Sequence, residues 1–410
     1  MRVDRRRAAS VQSANPGRSI KTELMKTEAM KKEVRYLTRH AWYVCRNALR
    51  SVGAVCLAAT LVITTLPAQA QRMDVGGKKN ITFYQANAYI GGSIEQVLGV
   101  DPADTIGLLT TVTEIYGQIL ASQPPARMSA LADEIDAARP EIAALEEVWT
   151  IEQAPLTAQG PGAFAVVHDY LQLLTDALAA KGAHYRVAVV ATESDLAMPM
   201  FDLVNGGLAV GRVIDHEVIL VRTDLPPGYL RVENPQTGHF NTLLRFPSVG
   251  ITVERGWCSV DVFTRGERFH FVCTHLEDEM AGPIQEAQGL ELLAGPANVN
   301  GPVVVLGDLN ADPLDRTGTA TYDSFVADGF EDAWAVLNPA TPAAGLTWGH
   351  DPLLADPGTA FNRRIDFVLY RGAQFTPIKS TVFDPQISLT APPLWPSDHA
   401  AVSASFTLGN

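Results

Sequence analysis

The sequence has little cysteine, no basic run after residue 70, no apolar stretch of membrane-spanning length, and neither an internal repeat nor a low-complexity tract. Each shortage excludes something. Of the 4 cysteines, Cys45 and Cys56 lie near the N-terminus and Cys258 and Cys273 far along the chain, with no Cys-x-x-Cys spacing to hold a metal. The apolar run over residues 52–63 is shorter than the about 20 residues of a membrane span. The chain carries a net charge of -13, but its first 70 residues hold 13 Lys and Arg against 4 Asp and Glu, a surplus of +9 that leaves residues 71–410 at -22. Nucleic-acid binders carry clustered Lys and Arg, so long duplex DNA is a disfavoured substrate.

What the first 70 residues do have is an order: Arg46 and Arg50, then an apolar stretch, then Leu66-Pro67-Ala68-Gln69-Ala70. A basic flank, a short apolar core and a small-x-small ending make a secretory signal. The reading is a targeting region over 1–70 with its apolar core at 51–66, cleavage after Ala70, and a secreted or periplasmic protein with no anchor left after cleavage. An exported chain permits a disulfide. Cys258 and Cys273 fall opposite each other in a hairpin turning at Arg265-Gly266, and both a bridge and two reduced core thiols fit.

Residues 80–408 read as one catalytic domain. Ile81–Ala86, 141–149, Tyr185–Ala191, Val218–Arg222, Val303–Leu306, Ile365–Tyr370 and Ala401–Phe406 are strand-like in their apolar, largely β-branched content. Residues 102–122 have helical spacing, a second helix runs to Pro140, and Phe164–Lys181 reads as an amphipathic helix stopped by Gly182. Many strands with few helices between them predict stacked sheets flanked by helices, an α/β fold. Residues 192–215 and 223–248, rich in Gly, Pro and Asn, read as irregular loops that shape a substrate site.

The polar residues Asn87, Glu147, His275, Asp308, Asn310, Asp366, Asp398 and His399 each fall at or just past a strand end, which argues for one shared site. In Gly307-Asp308-Leu309-Asn310 the two polar side chains, two residues apart, face the same way in extended chain and can address one phosphate. Carboxylate and amide oxygens suit Mg²⁺, with Mn²⁺ or Ca²⁺ as substitutes; Glu147 is the first ligand expected and Asn87 its amide neighbour. A His with a positioned carboxylate serves as a general base or a phosphate clamp, and both Asp366 and Asp398 are available to orient His399. Taken singly, each element is an ordinary turn or strand end. It is their order that carries weight.

That ordered set, Asn87, Leu145-Glu146-Glu147-Val148, Thr274-His275-Leu276, Gly307-Asp308-Leu309-Asn310, Arg364-Ile365-Asp366-Phe367 and Ser397-Asp398-His399, resembles the endonuclease/exonuclease/phosphatase superfamily, within it the branch of secreted deoxyribonucleases, bacterial sphingomyelinases and inositol polyphosphate phosphatases. The resemblance implies a four-layer α/β/β/α sandwich of two packed mixed sheets and a metal-dependent hydrolase of phosphodiesters or phosphomonoesters. It implies that Glu147 binds the metal with Asn87 beside it and Asp398 nearby, that Asp308 orients or activates water, and that Asn310, His275 and Arg255 contact the phosphate, with His399 paired to Asp366. Glu146 departs from the glutamine usual before the metal-binding glutamate. Glu217 stands near the place of a catalytic tyrosine in nucleases of that branch, where a carboxylate would repel phosphate. Trp395, beside the Ser-Asp-His turn, is the tryptophan best placed to stack on a ligand.

The function expected is therefore an exported metal-dependent phosphoesterase, a monomer whose partner is its small or lipid-linked substrate. A secreted endonuclease and a catalytically silent phosphate-ligand-binding module are the alternatives.

Overall fold

Phe83 and Tyr84 are neighbours in sequence and belong to different cores. Successive side chains of a strand point to opposite faces, and here both faces are covered. The computed structural model describes residues 79–409 except 315, 343, 359–360 and 388–392. The expected leader and the cleavage point after Ala70 lie outside the described residues. No helix among the described residues is long and apolar enough to cross a membrane.

The strands run β1 (Asn80–Asn87), β2 (Ile142–Glu146), β3 (Thr150–Thr157), β4 (Gly160–Pro161), β5 (Ala165–Asp169), β6 (Tyr185–Phe201) and β7 (Leu208–Arg222). They continue with β8 (Leu230–His239), β9 (Leu244–Phe246), β10 (Ile251–Val253), β11 (Gly256–Thr264), β12 (Glu267–His275) and β13 (Val303–Asp308). Last come β14 (Glu331–Asp332), β15 (Asp366–Arg371), β16 (Phe375–Phe383) and β17 (Ala401–Leu408). The helices are α1 (Thr105–Ala121), α2 (Pro124–Ala138), α3 (Tyr170–Ala180), α4 (Gly282–Ala294), α5 (Thr321–Ala327) and α6 (Ala333–Leu337).

One sheet has the order β16-β17-β1-β2-β7-β3-β4, with β5 on β3 and β6 on β7; the other has the order β14-β15-β13-β12-β11-β8. Both are mixed, because β1 with β2 and β12 with β13 are parallel while their other neighbours are antiparallel. A parallel neighbour needs a crossover, which α1 and α2 provide in the first sheet and α4 in the second. Ile81, Phe83, Ile142 and Ala144 of the first sheet meet Val260, Phe271, Val304 and Leu306 of the second in the core between them. Phe83 is fully buried against Phe269, Phe271 and Phe406, with ring centroids 5.7, 5.5 and 5.6 Å away; truncating such a side chain to Ala costs about 3–5 kcal/mol. The alternate residues Tyr84, Ala143 and Leu145 pack under α1, α2 and α3, and Val303 and Val305 under α4 and α5. The layers are the α/β/β/α sandwich expected.

Two expectations fail. Residues 164–181 are not one helix: Ala165–Asp169 pairs with β3 as β5, and the helix starts at Tyr170. The β-branched Val166 and Val167 favour the strand, and Asp169 caps the helix by accepting from the amide of Gln172 at 2.9 Å. Nor are residues 192–215 irregular, since β6 and β7 form one long antiparallel hairpin that turns at Gly206-Gly207, both at positive φ. Half of 223–248 is likewise strand, as β8 and β9. Cys258 and Cys273 stand directly opposite in the β11/β12 register, as read, and both are buried free thiols.

Candidate active site

Parallel and antiparallel pairing together bring the polar strand ends to one edge. His275 closes β12, Asp308 closes the parallel β13, and Asp366 opens the antiparallel β15, so the three stand in register. In the facing sheet Asn87 pairs with Glu146, which places Glu147 one residue past that strand end. Ser397, Asp398 and His399 precede β17, antiparallel to β1, and so arrive at the same edge.

Three nitrogens converge on Asp308 Oδ2: Asn87 Nδ2 at 3.2 Å, His275 Nε2 at 3.4 Å and His399 Nε2 at 3.6 Å. The other carboxylate oxygen accepts from the amide of Asn310 at 2.9 Å. Burial, above all, raises the Asp308 pKa to about 7. The His399 ring joins Asp366, Nδ1 to Oδ2, at 2.9 Å. Burial works against charge on this ring, but Asp366, Asp398 and Asp308 together outweigh it and hold the pKa well above that of a free histidine. His275 is the opposite case: burial, then the charges of Arg255 and His399, push its pKa well down and keep it neutral. Asn310 Nδ2 lies 3.3 Å from His275 Nε2 and donates to the Leu276 carbonyl at 3.0 Å.

Glu147, at φ 54, turns away from the strand direction into the cleft. Its oxygens accept from Asn87 Nδ2 at 3.1 Å, the Ile90 amide at 3.2 Å and Trp149 Nε1 at 3.1 Å. Asn87 Oδ1 accepts from the Tyr89 amide at 2.9 Å, which turns its NH₂ toward Glu147 and Asp308. Asp398 accepts from Trp348 Nε1 at 3.3 Å, and burial, above all, raises its pKa to about 6. All the residues read from the sequence as catalytic, phosphate-binding or metal-binding thus gather at this edge.

The family model described as the endonuclease/exonuclease/phosphatase family matches residues 115–399, taking in every one of those residues but Asn87. The chain belongs to that family. It is accordingly a hydrolase of phosphoester bonds. A solved endonuclease/exonuclease/phosphatase family protein from Bacteroides thetaiotaomicron is 14% identical, with 82% of this chain and 100% of that one covered and a TM-score of 0.48. One from Beutenbergia cavernae is 20% identical over 81% of this chain and 72% of that one, TM-score 0.48. A mannosyl-6-phosphatase from Bacteroides thetaiotaomicron is 17% identical over 80% and 99%, TM-score 0.44. No curated protein matches.

Enzymes of the endonuclease/exonuclease/phosphatase family work with a divalent cation, and this cleft suits one. It encloses 320 Å³, and seven acidic side chains line it against two arginines, Arg255 and Arg363, and the charged His399. A phosphate entering such a site meets net repulsion unless a cation intervenes. Asp308, Asp366 and His399 can each bring one donor atom within 4.8 Å of the others. The 2.9 Å bond from His399 Nδ1 to Asp366 Oδ2 also makes that trio a hydrogen-bonded relay.

Several residues that hold the site in place escaped the sequence reading. Arg127, fully buried on α2, donates to the carbonyls of Ala88 (2.9 Å), Tyr89 (3.0 Å) and Pro396 (2.9 Å) and to the Tyr170 hydroxyl (3.0 Å). It ties the loop after Asn87 to the turn before Asp398. Gln85 donates to both Glu146 and Asp366 at 2.8 Å, so Glu146 lies behind the site between the sheets. Thr347 Oγ1 accepts from the amides of Ile365 (3.1 Å) and Asp366 (3.3 Å).

Glu217 does not face the cleft and cannot repel a phosphate there. It is buried, burial and then Glu193 raise its pKa well above the usual range, and its oxygens have no hydrogen-bond partner among the described residues. Asp215, two residues earlier on the same face of β7, lines the cleft instead. Trp395 is also displaced from its expected role: it stacks on His350 at 4.1 Å and donates to the Asp356 carbonyl at 3.0 Å. The tryptophans that line the cleft are Trp149 and Trp348.

Proposed function

We propose that the protein is an exported Mg²⁺-dependent phosphoesterase that hydrolyses a phosphodiester, or a monoester by the same chemistry, of a small or lipid-linked alcohol. The observation that carries this reading is the charge imbalance of the cleft, seven acidic side chains against Arg255, Arg363 and the charged His399 around Asp308. Glu147 and Asp398, with Asn87 beside Glu147, are the residues to hold the cation, with Mn²⁺ or Ca²⁺ as substitutes. A bound divalent cation offsets phosphate charge and polarises the phosphorus–oxygen bond.

The side chains supply the rest. The Asp308 carboxylate takes a proton from water as the water oxygen attacks phosphorus; the bond to the leaving oxygen breaks, and the alkoxide that departs takes a proton from solvent. His399, kept charged by Asp366, places a positive N–H beside the phosphate oxygens. His275 and Asn310 add further donors where negative charge grows, with Arg255 behind them.

The test is hydrolysis of bis-nitrophenyl phosphate with Mg²⁺ or Mn²⁺. Turnover insensitive to EDTA, or unchanged in His399→Ala, sinks the reading. A secreted endonuclease is the alternative; plasmid degradation at rates matching the small diester favours it, and intact plasmid excludes it. Export rests on the order of residues 46–70, and N-terminal sequencing of exported protein is expected to begin at Gln71. An N-terminus upstream of the apolar run rules cleavage out.

A further inference from the structure

A second opening adjoins the catalytic cleft and shares two of its wall residues, Ile94 and Leu196. Its chemistry is the opposite of the cleft's. Helix α1 presents Val112, Ile115 and Ile119 to it, positions three and four apart on one helical face. Met198 and Val213 of the β6/β7 hairpin close the other side. The polar side-chain atom on its wall, the Tyr116 hydroxyl, is already committed to the Glu152 carbonyl at 3.4 Å. Water inside would lack the two to four polar partners that hold buried water, so an apolar guest is favoured over solvent. The cavity measures 70 Å³, room for about five water-sized groups at roughly 10–15 Å³ each.

We propose that this side cavity binds the alkyl chain of the ester, so that the substrate is an aliphatic phosphoester with its phosphate in the acidic cleft and about four carbons between α1 and the β6/β7 hairpin. The proposal rests on the phosphoester reading of the adjoining cleft and names the substrate's other half. A charged or sugar-like alcohol finds no partner in this cavity. Ile94 and Leu196 border both openings, and an alkyl chain that passes them would place one molecule in both.

Calorimetric titration of the protein with methyl-, butyl- and hexylphosphonate in Mg²⁺ tests it. Affinity is expected to rise about fourfold per added methylene up to butyl and to level off by hexyl, when the cavity is full. Equal affinity for methyl- and butylphosphonate overturns the proposal. Val213→Phe, which fills the cavity, is expected to erase the methyl-to-butyl gain, and Leu196→Gln at the shared wall to reduce it; a gain that persists in a folded form of either variant also overturns it. Turnover of bis-nitrophenyl phosphate reports on the cleft alone. Turnover with a flat phosphonate series removes the side cavity only, while a rising series without turnover removes the catalytic reading only.

Discussion

Arg255 Nη1 stands 2.6 Å from His275 Nδ1. A guanidinium has only donors, so the ring nitrogen is the acceptor, and the neutral imidazole carries its proton on Nε2, the nitrogen 3.4 Å from Asp308 Oδ2. Arg255 therefore serves by fixing a tautomer as well as by charge, its guanidinium already lying 3.7 Å from Asp215 and 3.9 Å from Glu277. Arg255→Met is expected to lower kcat on the order of 10²-fold and to move the His275 proton to Nδ1, visible in the ¹⁵N spectrum of the ring. Arg255→Lys keeps a donor and should recover part of the loss. Unchanged kcat with an unchanged tautomer in the Met variant contradicts this role.

Arg127 supports the site from behind. Its removal leaves three buried carbonyls and a tyrosine hydroxyl short of a donor, and the cost of orphaning buried polar groups is borne in full. Arg127→Met is expected to destabilise the fold by roughly 1–3 kcal/mol for each buried carbonyl left without a donor, measured by urea denaturation, and to lower kcat more than it changes KM, because the loops bearing Asn87 and Asp398 lose their shared anchor. A loss confined to stability restricts Arg127 to the fold.

How much of this was legible followed from what each segment had to signal. Asp308, His275 and Asp366 could be read because an apolar β-branched run ended abruptly on each or began beside it, and strand ends are where a parallel sheet places its chemistry. Arg127 sits in an ordinary amphipathic helix, and nothing local distinguishes a buried arginine that caps distant carbonyls from one in water. The β6/β7 hairpin was hidden by Pro199 and by Gly206-Gly207, which weaken strand propensity locally. Long cross-strand pairing overrides them. Glu217 misled because its sequence position matched a functional place while its side chain faces the core between the sheets.

That same group has a measurable consequence. Burial, followed by repulsion from Glu147, raises the carboxyl pKa of Asp215 to about 8; burial and then Asp215 raise that of Glu193 to about 9, and burial and then Glu193 raise that of Glu217 well above normal. Each keeps its proton in the folded state and releases it on unfolding above about pH 4.5. The stability these three groups contribute in the metal-free protein is thus complete in acid, below about pH 4, and is lost as pH rises toward 8 to 9. Glu217→Gln cannot ionise and is expected to flatten this slope and to stabilise the protein at pH 9, read by denaturant titration across pH. A slope as steep as wild type would mean that Glu217 ionises at no cost.

The bond between His399 and Asp366 sets the charge of the catalytic edge. The folded pKa of His399 lies above 6.5, so the stabilisation it provides is complete below about pH 6.5 and is lost as pH rises through the folded pKa. Asp366 is the largest of the charges that raise it. In Asp366→Asn the amide oxygen can still accept from Nδ1, preserving ring orientation, but the charge that favoured the imidazolium is gone. The alkaline limb of the kcat profile is therefore expected to move to lower pH, and kcat at neutral pH to fall about 10²–10⁴-fold. The two outcomes separate orientation from charge: a lower rate with the limb unmoved assigns Asp366 to orientation alone, whereas a moved limb shows that it keeps His399 protonated.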